Sequence, residues 1–181
     1  GKETASVDWT TDASATRHYH GTHVAGIAAA ATNNALGVAG TAPGALILDE
    51  RVLDSTGAGY DSWVANGMRD GAARGARVVN ASLGGRFSST TSQKGVDDAW
   101  AAGAVVCSAA GNSGNTTKTY PAAYANSIAV AASNETDGLA SFSNRNGRKD
   151  AWVDVAAPGT SILSTLPVSP NYTKPSKYDG N

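Results

Sequence analysis

The chain has little of what usually announces a class of protein. A single cysteine, Cys107, stands among 181 residues, so an intrachain disulfide is excluded. It lies in the apolar run Val105-Val106-Cys107 and reads as a small buried hydrophobe. Charge is scarce at 16 %, and its signs balance: 14 basic residues against 15 acidic, a net charge of -1. With no basic stripe, nothing points to a nucleic-acid backbone as partner, and so little charge does not suit a disordered chain. No apolar run approaches the roughly 20 residues that a membrane-crossing helix needs, so no membrane partner is expected. The chain opens on Gly1-Lys2-Glu3, with neither a methionine nor a signal-peptide pattern. It is therefore expected to be a processed product or a piece of something longer.

Small and apolar residues fill the space that charge leaves. Hydrophobic residues make up 41 % and glycine occurs 21 times, which suits short, tightly packed elements joined by many turns in one domain, 1–181. Alanine-rich spacing predicts a helix over 21–32, and helical spacing of Trp63, Val64, Gly67 and Met68 predicts a second over 61–73. A third is expected over 88–102, with Val96, Ala99 and Trp100 on its buried stripe. Strands are expected over 45–53, within 76–85, and over 105–109, 127–132 and 152–156, with an irregular or hairpin tail from Pro167. Helices alternating with strands predict an α/β domain, a mostly parallel sheet covered on both faces. Sites in such sheets gather at the carboxyl ends of strands. Glycine-rich loops fall there after Leu53, after Ser82-Leu83 and after Ala110.

All three histidines lie in "RHYHGTHVAGIAAA": His18, His20 and His23. A helix amino terminus disfavours a positive charge, so His20 there is favoured as the neutral imidazole, which can accept a proton. The small residues Gly21, Ala25 and Gly26 would let the helix lie close to its neighbours. The trio could instead hold a metal, although no HExxH-type carboxylate joins it, or be structural. Composition and spacing leave these readings open. The loop "GNSGN", Gly111 to Asn115, equally admits a plain turn or a close approach of backbone to a ligand.

"HGTHVAGIAAA", "SLGG" and "AAGNSG", in this order and at these separations, resemble subtilisin-like serine proteases, the subtilases. "TNNALGVAGTAP", "RVLDSTGAG", "YPAAYANSIAVAAS", "SFSN" and "WVDVAAPG" resemble the thermitase-like branch. The resemblance runs from about Val7 to the end of the chain. It implies a three-layer α/β sandwich and serine-type endopeptidase activity through an acyl-enzyme. It also implies an extended polypeptide substrate, secretion, and a monomer when intact. On the matching positions His20 is the general base, and His18 and His23 are not catalytic. Asn112 donates its amide to the oxyanion. Ala109, Ala110 and Gly111 form one wall of the pocket for the residue before the cut. Ser82, Leu83, Gly84 and Gly85 form the opposite wall, with Gly57, Ala58 and Gly59 on the other side of the substrate. Strand addition of this kind uses backbone hydrogen bonds with little regard to sequence. Walls of alanine and glycine imply a pocket admitting large apolar side chains. "TNNALGV" resembles the family's calcium loop, implying Ca²⁺ on the side chain of Asn34 and the carbonyls of Thr32, Leu36 and Val38. Asp8 and Asp12 resemble part of a second, branch-specific site.

The pattern is broken at both ends. The aspartate motif of the triad and the nucleophile motif GTSMAxP are absent, and the final "YDGN" resembles the residues just before the latter. The expected object is a subtilisin-like domain incomplete at both ends, lacking the first sheet strand and the helix that carries the serine. It would supply the base, the oxyanion donor and the walls, and be inactive alone. The alternative is a subtilase-like domain that only binds peptides. A nucleotide-binding reading is weaker, because "GNSGN" lacks GxGxxG spacing and no GK[ST] occurs. Asp49-Glu50 departs from the family's small or apolar residues, and two acids in a central strand need partners.

Overall fold

The structure, a computed structural model, describes residues 2–14, 17–167 and 177–178, the last two as backbone only. The "YDGN" ending past Tyr178, and most of the tail after Pro167, lie outside the described residues. In chain order the elements are β1 (Glu3–Asp8), α1 (Tyr19–Ala29), β2 (Ile47–Arg51), α2 (Asp61–Ala73) and β3 (Val78–Ala81). There follow α3 (Thr90–Ala101), β4 (Val105–Ala109), β5 (Ser127–Ser133), β6 (Val155–Pro158), β7 (Ile162–Leu163) and β8 (Lys177–Tyr178). Strands β3-β4-β5-β6 form a four-stranded sheet, parallel throughout. Strands β1 and β2 form a separate parallel pair, and β7 pairs antiparallel with β8. This is the α/β arrangement expected.

Several boundaries differ from the sequence pattern, each for a local reason. Strand β1 was not expected, because only Ala5 and Val7 interrupt its polar residues, and both are half-buried. Helix α1 begins two residues earlier than position 21 because the His18 ring caps it, Nδ1 accepting from the His20 N–H at 3.3 Å. It stops at Ala29, where the extended Ala30 leaves the helix. The N–H groups of Gly40, Thr41 and Ala42 then donate to the carbonyls of Ala30, Ile27 and Ala28, satisfying groups a helix end otherwise orphans. Strand β6 starts three residues later than expected. Before it, the N–H groups of Trp152 and Val153 both donate to Asn146 Oδ1 rather than to a strand. Pro158 suits the sheet-edge position of β6.

Helices α2 and α3 pack on each other and on one face of the sheet. Val64, Met68 and Ala72 of α2 meet Val96 and Ala99 of α3, with Ala81 of β3 and Val106 of β4 beneath. Trp100, expected on the buried stripe, is 46 % exposed. Gly95 takes the contact instead: a Cβ there would lie 2.6 Å from the Ala65 Cα. The closest crossing of two helices excludes a large ring and selects the smallest residues.

The pairing register fixes what lies on the opposite face. Val78 pairs Val105, Asn80 pairs Cys107, Cys107 pairs Ile128, and Val130 pairs Val155. With side chains alternating along each strand, these residues share the face turned away from α2 and α3. Val78 is 61 % exposed, Val105 36 % and Val155 51 %. Cys107 is half-buried there, not fully buried as expected, and burial pushes its thiol pKa up. A parallel sheet is normally covered on both faces; among the described residues, this one is covered fully on one. Helix α2 also packs against both β2 and β3, which do not pair with each other. It thus spans a break between the two parallel sheets.

The two acids of β2 find separate partners. Asp49 accepts from Arg17 Nη1 at 2.6 Å and from Ser6 Oγ at 2.9 Å. Glu50 points towards α2, where it meets Gly67 and Gly71. Its Oε2 accepts from Trp9 Nε1 at 2.7 Å, while its buried Oε1 meets no donor among the described residues. Burial, and the carboxylate of Asp70 beside it, push the Glu50 pKa up. Asp70 is held in turn by Arg74 Nε at 2.6 Å. Two carboxyls in contact are compatible when one keeps its proton.

Two outcomes follow. The 181-residue chain alone is expected to bind a hydrophobic dye strongly and to melt without a sharp transition, because an apolar sheet face and two strand edges are unsatisfied; a sharp calorimetric peak without dye binding would contradict this. In a full-length protein, Glu50→Gln is expected to raise Tm at about pH 8, with the gain vanishing by about pH 4. The folded pKa of Glu50 lies above its ordinary 4.5. The folded state therefore holds a proton that the unfolded state has released, and stability falls as pH rises through that window. Tm measured against pH for both proteins checks it.

Candidate active site

His20 sits in the first turn of α1. Its Nε2 lies 2.7 Å from the carbonyl oxygen of Ser82, the first residue after β3. A carbonyl only accepts, so Nε2 carries the hydrogen and donates. This contact joins residues 62 apart in sequence and sets the histidine helix against the 82–85 segment. Gly57 faces the His18 ring, its missing Cβ position 3.5 Å from His18 Nε2, so the 57–59 turn closes on the same corner. His23, one turn further on, is 1 % exposed, and burial lowers its pKa. A strap after β7 holds α1 from outside the site: Ser164 Oγ donates to the His23 carbonyl at 2.6 Å and Thr165 Oγ1 to that of Thr22 at 2.8 Å. It crosses the helix at Gly26, whereas a Cβ on Gly21 would meet nothing within 4 Å among the described residues.

The second loop leaves β4, the neighbour of β3. Ala81 and Ser108 are register partners, so segments 82–85 and 110–115 start side by side at the carboxyl edge of the sheet. Gly85 and Tyr120 exchange two backbone hydrogen bonds of 2.9 Å, and Thr119 Oγ1 donates to the Ala110 carbonyl at 2.7 Å. Asn112 is exposed on this loop, between Gly111 and Ser113. Gly111 has φ +100°, and a Cβ there would lie 2.9 Å from both Asn144 Nδ2 and Thr119 Cγ2, so only glycine fits. Ala109 is half-buried and Ala110 is 1 % exposed.

Not every wall residue offers its backbone. Ala58 donates its N–H to Asp54 Oδ1 at 3.1 Å and accepts from the Asp54 N–H at 2.7 Å. Gly85 gives its N–H to Tyr120. Each N–H makes one bond, so these two have none left for a substrate. Neither residue stands out by type, because both look like their glycine-rich neighbours.

Asp8 and Asp12 are committed elsewhere than to an imidazole. Arg51, whose side chain is 9 % exposed, donates Nη1 to Asp8 at 2.6 Å and Nη2 to Asp12 at 3.0 Å. Asp12 also accepts from the N–H groups of Ser14 and Ser55, at 2.9 Å and 2.7 Å. Those backbone bonds lead in lowering its pKa to about 2. The guanidinium stands between the two carboxylates where a second metal would have to sit.

Residues 31–39 form an open concavity of about 250 Å³. Left-handed backbone alternates along it, at Asn33 (φ 58°), Ala35 (φ 57°) and Gly37 (φ 60°). Thr32, Asn34, Leu36 and Val38 offer oxygens only, which suits a hard cation, but none of them is charged. Asn34 Oδ1 accepts from the Leu36 N–H at 3.1 Å. The loop can supply part of a calcium shell, and the charge would come from elsewhere. Among the described residues, no group of three or more His, Cys, Asp or Glu is placed to hold a metal. No helix among them is long and apolar enough to cross a membrane.

The fold is that of an α/β domain of the subtilisin type. Residues 2–180 match the Subtilase family. Thermitase of Thermoactinomyces vulgaris is 53 % identical over 150 residues, 83 % of this chain and 52 % of its own. Subtilisin E of Bacillus subtilis (strain 168) is 47 % identical over 152 residues, 82 % of this chain and 39 % of its own. Among solved structures, S41 psychrophilic protease superposes with TM-score 0.78 at 36 % identity, covering 86 % of this chain and 57 % of its own. The chain belongs to the subtilase family. It spans about half the length of the curated relatives it matches.

Proposed function

We propose that this chain is part of a serine endopeptidase, in which it supplies the general base, the oxyanion donor and the walls that hold an extended polypeptide. His20 is the base. It takes the proton of a serine hydroxyl as that oxygen attacks the scissile carbonyl, then passes it to the leaving amine. Asn112 donates its side-chain amide to the carbonyl oxygen as it becomes negative. Ser82, Leu83, Gly84 and Gly85 line one side of the peptide, Gly57, Ala58 and Gly59 the other, and Ala109, Ala110 and Gly111 close the pocket for the residue before the cut. The serine and the aspartate that orients His20 lie outside these residues. The observation that most supports this is the 2.7 Å contact between His20 and Ser82, which sets the proposed base against a proposed substrate wall. Ca²⁺ would bind the 32–38 loop through Thr32, Asn34, Leu36 and Val38 and stabilise it. The protein would act outside the cell, where that ion is abundant, and as a monomer.

In this structure His20 Nε2 donates its hydrogen to the Ser82 carbonyl. A base must present a lone pair at Nε2 and carry its hydrogen on Nδ1, where a carboxylate accepts it. Placing the aspartate is therefore what switches the tautomer.

In a full-length protein carrying both missing motifs, His20→Ala is expected to abolish peptide cleavage. Asn112→Ala is expected to lower kcat by about 10²- to 10³-fold with little change in KM; that magnitude comes from a subtilisin itself and is not independent of this family. Steady-state kinetics on a chromogenic peptide read both. A full-length protein that binds the peptide and never cleaves it would overturn the enzyme reading in favour of a peptide-binding domain.

A further inference from the structure

Asn112 sits on an exposed loop with almost no side chain of its own to pack. An oxyanion donor works only when its direction is set before the charge develops, so the hold on this loop bears on its chemistry. The loop is fastened from one side by residues 142–145. The Asn144 N–H donates to the Gly111 carbonyl at 2.9 Å, the Gly114 N–H to the Phe142 carbonyl at 2.6 Å, and the Arg145 N–H to the Asn115 carbonyl at 2.9 Å. These are backbone bonds that many sequences could make.

The Asn144 side chain is different. It is 0 % exposed. Its Oδ1 accepts from the Ser113 N–H at 2.9 Å, and its Nδ2 donates to the Thr117 carbonyl at 3.1 Å. One carboxamide therefore holds both the residue after Asn112 and the far end of the loop. Through its main chain it also holds Gly111, the residue before. Nδ2 fills the space that a Cβ on Gly111 would need, 2.9 Å away. Replacing Asn144 would leave the Ser113 N–H and the Thr117 carbonyl without this partner and open a space beside the most constrained residue of the loop.

We propose that Asn144 is a positioning residue for Asn112, its buried carboxamide setting the 111–115 loop so that the Asn112 amide faces the developing oxyanion. This rests on the endopeptidase reading above. It makes "SFSN" part of the oxyanion machinery rather than a mere fold marker. Ser143 supports the same turn: its Oγ donates to the Asn144 carbonyl at 3.0 Å and accepts from the Ala132 N–H at 2.9 Å.

The test is a double-mutant cycle in the full-length enzyme, comparing Asn144→Ala, Asn112→Ala and the pair. Asn144→Ala is expected to lower kcat by about 10- to 100-fold, the range of a small misplacement, with KM within about twofold. In the Asn112→Ala background the same substitution is expected to change kcat by less than about twofold, since there is no amide left to misplace. A merely structural residue would depress kcat equally in both backgrounds, and that result, or an unchanged kcat, overturns the proposal. Should Asn144→Ala fail to fold, Asn144→Asp serves. It keeps the acceptor for Ser113 and loses the donor to Thr117, and it must show the same dependence on Asn112 for the proposal to stand. An Asn112→Ala enzyme at full turnover would remove the oxyanion reading and this inference with it. A slow Asn112→Ala enzyme without the coupling removes this inference alone.

Discussion

The parallel pairing of β3 with β4, Ala81 opposite Ser108, is the constraint on which the rest depends. Parallel strands carry their carboxyl ends to the same edge. Two loops far apart in sequence therefore begin as neighbours. Neither loop has a core of its own. Their positions are inherited from the sheet and then refined by hydrogen bonds: Gly85 with Tyr120, Thr119 with Ala110, Asn144 with Ser113. A one-residue slip between β3 and β4 would turn Ala81 and Val106 out of the α2–α3 core and move both loops at once. Packing on one face of the sheet is thus what aligns a site at its edge.

How far this was legible in the sequence follows from where the signal lies. Helix α2 and strand β4 matched the pattern residue for residue, because their apolar periodicity is uninterrupted. Strand β1 was not legible: four of its six residues are polar, and only pairing with β2 defines it. Trp100 misled because helical spacing says which residues share a stripe, and not which member of a stripe fits a close crossing. At the site, His20 and the 82–85 wall were legible through motifs. The spent N–H groups of Ala58 and Gly85 were not, since hydrogen-bond partners across a fold leave no trace in a run of glycine and alanine. Asn144 lay within a recognisable motif, but its role needs the knowledge that it is buried beside Gly111.

The acids of β2 are each accommodated locally. Asp49 reaches a half-exposed guanidinium at the sheet edge. Glu50 cannot, and is held by an indole N–H, while burial and the neighbouring Asp70 push its pKa up. Arg51, the next residue, serves Asp8 and Asp12. Alternation along the strand sends Glu50 one way and its two neighbours the other, so three adjacent charged residues never compete for one partner.

The open valines and the His20 contact both involve strand β3, the first through its register and the second through the residue that follows it. Among the described residues, Val78, Val105 and Val155 lie open on the side away from α2 and α3. An apolar face of this kind is stable only beneath another layer. The His20 contact needs no such layer: the amino terminus of α1 meets the residue after β3 directly, so that corner is set across 62 positions of sequence by elements already in place.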